Sequence, residues 1–410
     1  MATVTTAEEA RAHLLGVYAP TPHLFVQGEG SWLLDDQGRR FLDFTSGIAV
    51  TALGHGHPAV TQALKDSLES GLIHTSNLFR TAPAEALARK LAIHSGLDRV
   101  FFCNSGGEAV EASLKFARRS ARRGGNAPDR FGVVALRGAF HGRLFGSLAV
   151  TDRARYREPF EPLMPGAVFV DPMDPEALER LDPSTIAALI AEPIQGEGGV
   201  QPLPEAVLQR LREWTTRHGI ALILDEIQCG LGRTGTLFAH EPSGVRPDIL
   251  TLAKPLAGGL PMGAVLMTEE VAQAVRPGDH GTTFGGGPMV AAVALAVLEE
   301  IADPAFLAEV RRKGEILTGL LEGLGSRHPE RITEIRGRGL MRGLRLAEPV
   351  APVIQAAQER GLLLVGAGPD VIRLLPPLTV TDDEISQAVR ILEAAVEAVP
   401  SPTVSEEVAS

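Results

Sequence analysis

Seven short runs of aliphatic and β-branched residues punctuate the middle of the chain: Val100–Cys103, Gly132–Leu136, Ala167–Val170, Ile186–Ala191, Ile220–Leu224, Ile249–Leu252 and Gly263–Met267. Each is nearly continuous in apolar character and is bounded by Gly, Pro, Asp or Asn. A strand that lacks polar alternation is covered on both faces, which is the habit of parallel sheets. Helical stretches lie between the runs, among them Glu108–Arg119, Pro204–His218 and Met289–Ile301, so the pattern predicts βαβ units with helices on both faces of one sheet. Beyond residue 304 the rhythm changes. A long amphipathic stretch, Ala305–Leu324, leads to Ile332–Leu346, where Gly337, Gly339 and Gly343 interrupt strand-like residues. Helical stretches Val350–Arg360 and Asp382–Val399 then flank a strand-like Val371–Leu375, which reads as a smaller α+β unit. Near the start, an extended piece at Trp32–Asp35 runs into a turn at Asp35–Gly38. The expected organisation is an N-terminal segment (1–45) packed with the small unit, a large α/β domain (46–304), a small domain (305–399) and a loose tail (400–410).

Composition narrows the class. A length of 410 residues exceeds one ordinary core. The formal net charge of -11, with no Lys/Arg-rich patch, argues against a nucleic-acid or anionic-membrane surface. Met1–Arg11 carries Glu8 and Glu9 and no apolar core, so a signal peptide is not expected. No run approaches the roughly 18 apolar residues of a membrane span. The two cysteines, Cys103 and Cys229, fit a reduced cytoplasmic protein better than a disulfide-bonded one.

The chemistry concentrates at strand ends. Ile220–Leu224 delivers Asp225, and Asp248–Ala253 delivers Lys254 with Gly258 and Gly259 behind it. In open α/β sheets the carboxyl ends of strands line the ligand crevice. A desolvated lysine there can attack a carbonyl, and an acid can keep a pyridine nitrogen protonated. Taken as a pair, Asp225 and Lys254 fit a plain ion pair as well. The turn after Val100–Cys103, Asn104-Ser105-Gly106-Gly107-Glu108, adds a third handle. It joins strand to helix through small residues, where exposed N–H groups and the helix dipole favour a phosphate. Ser105 suits an N-cap there, with Glu108 completing a capping box.

With these residues in view, the chain resembles the class III, fold-type I pyridoxal-phosphate aminotransferases, most closely the acetylornithine aminotransferase group. The stretches that carry the resemblance run in order: Asp43-Phe44, Gly47–Val50, Leu53–His55, His74–Asn77, Asn104–Gly106, Phe140–Arg143, Glu192–Val200, Asp225–Gln228, Gly232–Gly235, Lys254 and Gly281–Gly286. The resemblance implies a large, mostly parallel domain with a smaller α+β partner and pyridoxal 5′-phosphate held on Lys254 as a Schiff base. It further implies that Asp225 meets the ring nitrogen, Gln228 lies near the ring hydroxyl, and Phe140 stacks on the ring. Ser105, Gly106 and Gly107 would hold the phosphate, and Thr283 would reach the phosphate of a neighbouring subunit, hence a homodimer with shared sites. Arg143 and Thr282 would bind substrate carboxylate. Arg373 would take the α-carboxylate of glutamate, and Glu197 would neutralise Arg373 when an ω-amine occupies the site. The implied reaction moves the ω-amino group of N2-acetylornithine to 2-oxoglutarate; ornithine, 4-aminobutyrate and carrier-bound aminoadipate semialdehyde are the neighbouring substrates. Two positions depart from the family pattern, Gly107 for its usual Thr and Gly287 for its usual Asn.

Rival motifs fail on context. Gly230-Leu-Gly232-Arg-Thr-Gly235 fits a dinucleotide glycine signature, but Pro242 breaks the helix that should follow, which disfavours a nicotinamide dehydrogenase. His55 and His57 have no Cys or carboxylate at ligand spacing, so no metal site is expected. His141 is expected only to help place Phe140, and no nucleophilic-serine elbow is present.

Overall fold

The computed structural model describes residues 13–19, 21–123 and 129–400. The expectations for Met1–Arg11 and for the tail beyond Pro400 fall outside them. Strands β1 (Phe25–Glu29), β2 (Trp32–Asp35) and β3 (Arg40–Asp43) form an antiparallel meander near the N-terminus. Next come β4 (Arg99–Cys103), β5 (Gly132–Leu136), β6 (Ala167–Val170), β7 (Ile186–Ala191), the short pair β8 (Ile194–Gln195) and β9 (Gln201–Pro202), β10 (Ala221–Asp225), β11 (Ile249–Leu252) and β12 (Gly263–Met267). The central seven-stranded sheet has the order β4-β12-β11-β10-β7-β5-β6. All its neighbours run parallel except β12, which is antiparallel to both β11 and β4.

The unbroken apolar runs are explained by two covered faces. Leu222, Leu224, Leu250, Leu252, Ala264 and Leu266 join one buried cluster, while Ile223, Ile249, Val265 and Met267 alternate into another. The second cluster is closed by Ala109, Val110, Leu114 and Phe116 of the helix Gly106–Ala121. At roughly 25 cal/mol per Å² of apolar surface, this double burial is the main stabilising term.

The C-terminal part is built from β13 (Ile332–Arg338), β14 (Met341–Leu346), β15 (Leu362–Leu363), β16 (Val365–Gly366) and β17 (Val371–Leu374). Four of them form the antiparallel sheet β13-β14-β17-β16, whereas β15 leaves it and pairs in parallel with β3 through Leu362–Leu42 and Leu363–Asp43. Helices Pro304–Arg327, Ala351–Glu359 and Asp382–Ala398 accompany these strands. The last begins with a full capping box between Thr381 and Glu384. Glu384 also accepts from the Ser31 hydroxyl (3.0 Å) and the Trp32 indole (2.8 Å), tying the meander to this helix.

One segment breaks the handedness rule. Ser46, Gly47, Ile48 and Ala49 have φ of 47°, 61°, 63° and 66°, a single left-handed turn closed by Val50 N–H to the Ser46 carbonyl. Left-handed residues other than glycine cost about 1–2 kcal/mol each. Buried Asp43 anchors the start of the turn, its Oδ1 accepting from the N–H groups of Thr45 and Ser46 and from the Thr45 hydroxyl. His55 donates to the other Asp43 oxygen at 3.0 Å, and His57 accepts the Ala59 N–H as a helix cap. Both histidines are thus engaged in local backbone architecture. After Gly230–Gly235 the chain makes turns and a 3₁₀ turn at Glu241–Ser243, with no long helix to carry a dinucleotide.

Candidate active site

The carboxyl ends of β4, β5, β7, β10 and β11 meet on one sheet edge, and antiparallel β12 starts there. A cavity of about 400 Å³ opens at that edge and takes a wall from each strand end: Asn104–Gly107 after β4, Phe140–Gly142 after β5, Glu192 after β7, Asp225 closing β10, and Ala253–Lys254 after β11. This is the crevice that parallel topology creates wherever strands end together.

Lys254 follows β11 with φ of 26°, a conformation that side-chain-bearing residues avoid. Such strain persists only where the surroundings over-determine it, and it collects at functional sites. Burial pushes the Lys254 ammonium down to about 8, the charge of Arg373 adds to this, and Glu197, Asp225 and Glu192 oppose it. A neutral, nucleophilic amine is therefore accessible close to neutrality.

Asp225 is 4% exposed, and its Oδ1 accepts from the Ile227 N–H and the Thr251 hydroxyl, each at 3.1 Å. Its Oδ2 lies 2.8 Å from His141 Nδ1, while His141 Nε2 is buried with no partner among the described residues. Only an Nδ1–H tautomer, or the cation, can donate to an ionised Asp225. His141 therefore does more than place Phe140: it orients the acid at the end of β10.

At the other end of the cavity Ser105 caps the helix Gly106–Ala121 from extended backbone, its Oγ accepting the Glu108 N–H at 3.2 Å. The Glu108 carboxylate does not return to Ser105 as a capping box requires. It reaches Asn104, which offers it two donors, the backbone N–H at 2.7 Å and the side-chain amide at 2.9 Å. The first-turn N–H groups of Gly106 and Gly107 have no intrahelical acceptor, as at any helix start. A Cβ at Gly106 would lie 2.9 Å from Ile227 Cγ2, so glycine lets the turn press against the residue after Asp225-Glu226. At Gly107 a Cβ would meet nothing closer than Leu144 at 3.4 Å, so packing alone does not demand glycine there.

A ring bearing a phosphate and a basic nitrogen fits these walls. The helix start offers N–H donors to the phosphate. The buried Asp225 carboxylate, held only by His141 and neutral donors, can keep a ring nitrogen protonated. Phe140 supplies an aromatic wall and Lys254 an amine.

Around this cavity lie the charged groups. Arg373, 2% exposed on β17, donates through Nη1 to Glu197 Oε1 at 2.6 Å and to Gln228 Oε1 at 2.9 Å. Gln228 lines the cavity, so this contact links it to the guanidinium. Arg143 stands exposed beyond Gly142 and makes no ion pair among the described residues. Thr282 and Thr283 line a separate cavity of about 530 Å³ with His74, Asn77 and Leu78. Thr282 is held by Asn104, whose amide donates to its hydroxyl at 2.9 Å, and by Asn77, whose amide donates to its carbonyl at 2.8 Å.

Sequence reasoning missed Glu192. It is 6% exposed, accepts the N–H groups of Phe140 (2.9 Å) and Gly196 (3.2 Å), and so joins the aromatic wall to the loop that carries Glu197. Burial raises its carboxyl to about 7, with the charge of Asp225 adding to the shift and His141 and the two N–H groups opposing it. The rule that singled out Asp225, an acid closing a buried strand, applies equally to Glu192 after β7.

Comparison with known proteins agrees with the geometry. The class-III aminotransferase family profile matches residues 17–396. The acetylornithine aminotransferase of Mesorhizobium japonicum is 45% identical over 381 residues, covering 93% of this chain and 95% of that protein. The mitochondrial acetylornithine aminotransferase of Alnus glutinosa is 46% identical, covering 94% of this chain and 86% of its own length. Among solved structures, the ornithine aminotransferase of Toxoplasma gondii superposes with a TM-score of 0.91 at 33% identity, covering 97% of this chain and 96% of that one. The N-acetylornithine aminotransferase of Stenotrophomonas maltophilia gives 0.81 at 38%, covering 93% and 97%. The fold, the crevice and these relatives together place the chain in the class-III aminotransferases, a pyridoxal-phosphate-dependent family of fold type I.

Proposed function

We propose that the chain transfers the ω-amino group of N2-acetylornithine to 2-oxoglutarate, giving N-acetylglutamate 5-semialdehyde and glutamate, as a cytoplasmic homodimer. The observation that carries this reading is the Arg373–Glu197 pair together with an exposed Arg143 that makes no ion pair among the described residues. A donor with one carboxylate far from its reacting amine needs one cationic anchor, and glutamate needs two. With glutamate, Arg373 takes the α-carboxylate and Arg143 the side-chain carboxylate. With acetylornithine, Arg143 takes the carboxylate and Glu197 keeps Arg373 neutralised.

Pyridoxal phosphate, when bound, supplies an electron sink for the carbon that loses or gains the amino group. Lys254 would anchor it and, once released, could carry the proton at that carbon on Nζ. Asp225, oriented by His141, would keep the ring nitrogen protonated, and Phe140 would stack on the ring. Ser105, Gly106 and Gly107 would hold the phosphate, with Gln228 near the ring hydroxyl. Thr283 serves the site of the partner subunit and Thr282 contributes to carboxylate binding. Exposed Phe284 (66%) follows the two threonines, and exposed Leu78 (87%) and Phe79 (68%) follow Asn77, whose amide donates to the Thr282 carbonyl; this apolar face suits a subunit interface. Among the described residues no helix is long and apolar enough to cross a membrane. In this reading residues 46–304 form the cofactor-binding domain and 305–399 the smaller domain, with 1–45 packed on the latter and 400–410 as a tail.

Single-turnover kinetics with acetylornithine, ornithine, 4-aminobutyrate and carrier-linked lysine tests the donor, and a clear preference for any of the last three replaces it. Arg373→Ala is expected to slow the glutamate half-reaction at least tenfold more than the acetylornithine one, on the order expected for a lost charged hydrogen-bond pair; equal losses sink the two-anchor reading.

A further inference from the structure

Arg143 hangs from a loop whose backbone is fixed on all sides. Gly142 before it has φ of 129°, and a Cβ there would lie 2.7 Å from Ser147 Oγ. That hydroxyl accepts the Leu144 N–H at 3.0 Å, and Glu111 accepts the N–H groups of Gly146 and Ser147 at 2.7 and 2.9 Å. What can still move is the arginine side chain, whose rotamer freedom is worth about 2 kcal/mol by general scales, or a factor of roughly thirty in binding.

A tyrosine limits that freedom. The guanidinium carbon of Arg143 lies 3.4 Å from the ring centroid of Tyr156, a separation that two planar groups reach only when stacked, and 5.8 Å from that of Phe140. Arg155 lies 4.7 Å from the Tyr156 centroid and donates to its phenol oxygen at 2.7 Å. The short helix bearing both, Ala154–Arg157, follows Arg153, which donates to the Glu197 carbonyl at 2.8 Å. Tyr156 and Glu197 share the wall of a second cavity, of about 770 Å³, while Phe140 belongs to the first. Arg143 is therefore parked between an aromatic ring of each cavity. Face-on stacking leaves the N–H edge of a guanidinium open for a bidentate carboxylate.

We propose that Tyr156 is a positioning residue for substrate: its ring holds the Arg143 guanidinium between the two cavities with its edge presented to an incoming carboxylate, and Arg155 fixes the phenol from outside. The inference rests on Arg143 being a carboxylate ligand. Calorimetric titration of the holoenzyme with glutarate, a dicarboxylate lacking an amino group, separates the two ideas. Tyr156→Leu and Tyr156→Ser should each weaken glutarate roughly tenfold, the scale of a partly desolvated cation–π contact, and raise KM with kcat unchanged. Tyr156→Phe, which keeps the ring, should bind within about twofold of the parent. Arg143→Gln should weaken binding at least as much, and Tyr156→Leu should add nothing to it. Normal binding by Arg143→Gln overturns the arginine reading and this inference with it. Weak binding by Arg143→Gln beside normal binding by both ring-less variants, or additive losses in the double variant, overturns the role of Tyr156 alone.

Discussion

Glu192 and Lys254 set the acid–base character of the site, and their shifts run in opposite directions. Glu192 binds its proton up to about pH 7 in the folded chain, against 4.5 for an ordinary glutamate, so the folded form holds more protons than the unfolded one between those values. Stability then falls as pH rises through that window. The stability of Glu192→Gln relative to the parent should therefore increase from pH 5 to pH 7.5 by about 2–3 kcal/mol, read from denaturant unfolding of the cofactor-free enzyme. A flat difference would show that the carboxyl is ionised throughout. For Lys254, whose ammonium sits at about 8 against 10.5, the folded form holds fewer protons between those values, so stability contributed by this group rises across them. Lys254→Ala should abolish transamination, a loss of several orders of magnitude, yet unfold no more easily at neutral pH, because a desolvated charge has been removed. At this scale Asp225 and Lys254 were readable because each closes a buried strand. His141 was not, since nothing in Phe140-His141-Gly142 says that its Nδ1 will face an acid 84 positions away.

Elements built on one strong local signal were the easiest to foresee. The limits of β5, β6, β7, β11 and β12 coincide with apolar runs because punctuating residues end each run at both sides. The antiparallel course of β12 has no such signal, for an apolar strand reads the same in either direction. Helices Pro58–Ser70 and Ala82–Ser95 left little trace, since the first buries only Ser67 and the second only Leu87 and Leu91. The hairpin β13–β14 is the converse case, with glycines that mark a real constraint. Gly337 has φ of 110°, and a Cβ there would fall 2.0 Å from the Met341 carbonyl oxygen. Gly337→Ala should destabilise the protein by about 3 kcal/mol or more, seen as a lowered Tm, while Gly319→Ala, in open helix, should be neutral or stabilising by about 1 kcal/mol.

For the molecule as a whole, the N-terminal meander is tied to the helix Asp382–Ala398 by side chains that no local pattern pairs. Glu384 caps its own helix through Thr381 and also accepts from Ser31 and Trp32, so one carboxylate serves two distant segments. Its replacement by alanine should cost about 2–3 kcal/mol, more than an ordinary cap, and Trp32→Phe should recover only part of that loss in a double-mutant cycle. A homodimer with shared sites predicts complementation. Mixing inactive Lys254→Ala and Thr283→Ala chains under subunit exchange should restore activity, because half of the sites in a mixed dimer draw both residues from intact chains; no recovery despite proven exchange would place Thr283 elsewhere.

The left-handed turn at Ser46–Ala49 has a mechanical meaning. Leu375, two positions beyond Arg373, gives its N–H to the Phe44 carbonyl at 2.7 Å and accepts the Ser46 hydroxyl at 2.7 Å. The turn is a wound spring, and its latch lies at the end of the strand that carries Arg373. If a ligand on Arg373 shifts that strand end, the hydrogen bonds of Leu375 to Phe44 and Ser46 are the first contacts of the turn to be strained. Deuterium uptake at the amides of Ala49 and Val50 should therefore report which substrate occupies the pocket, from a segment that need not touch it.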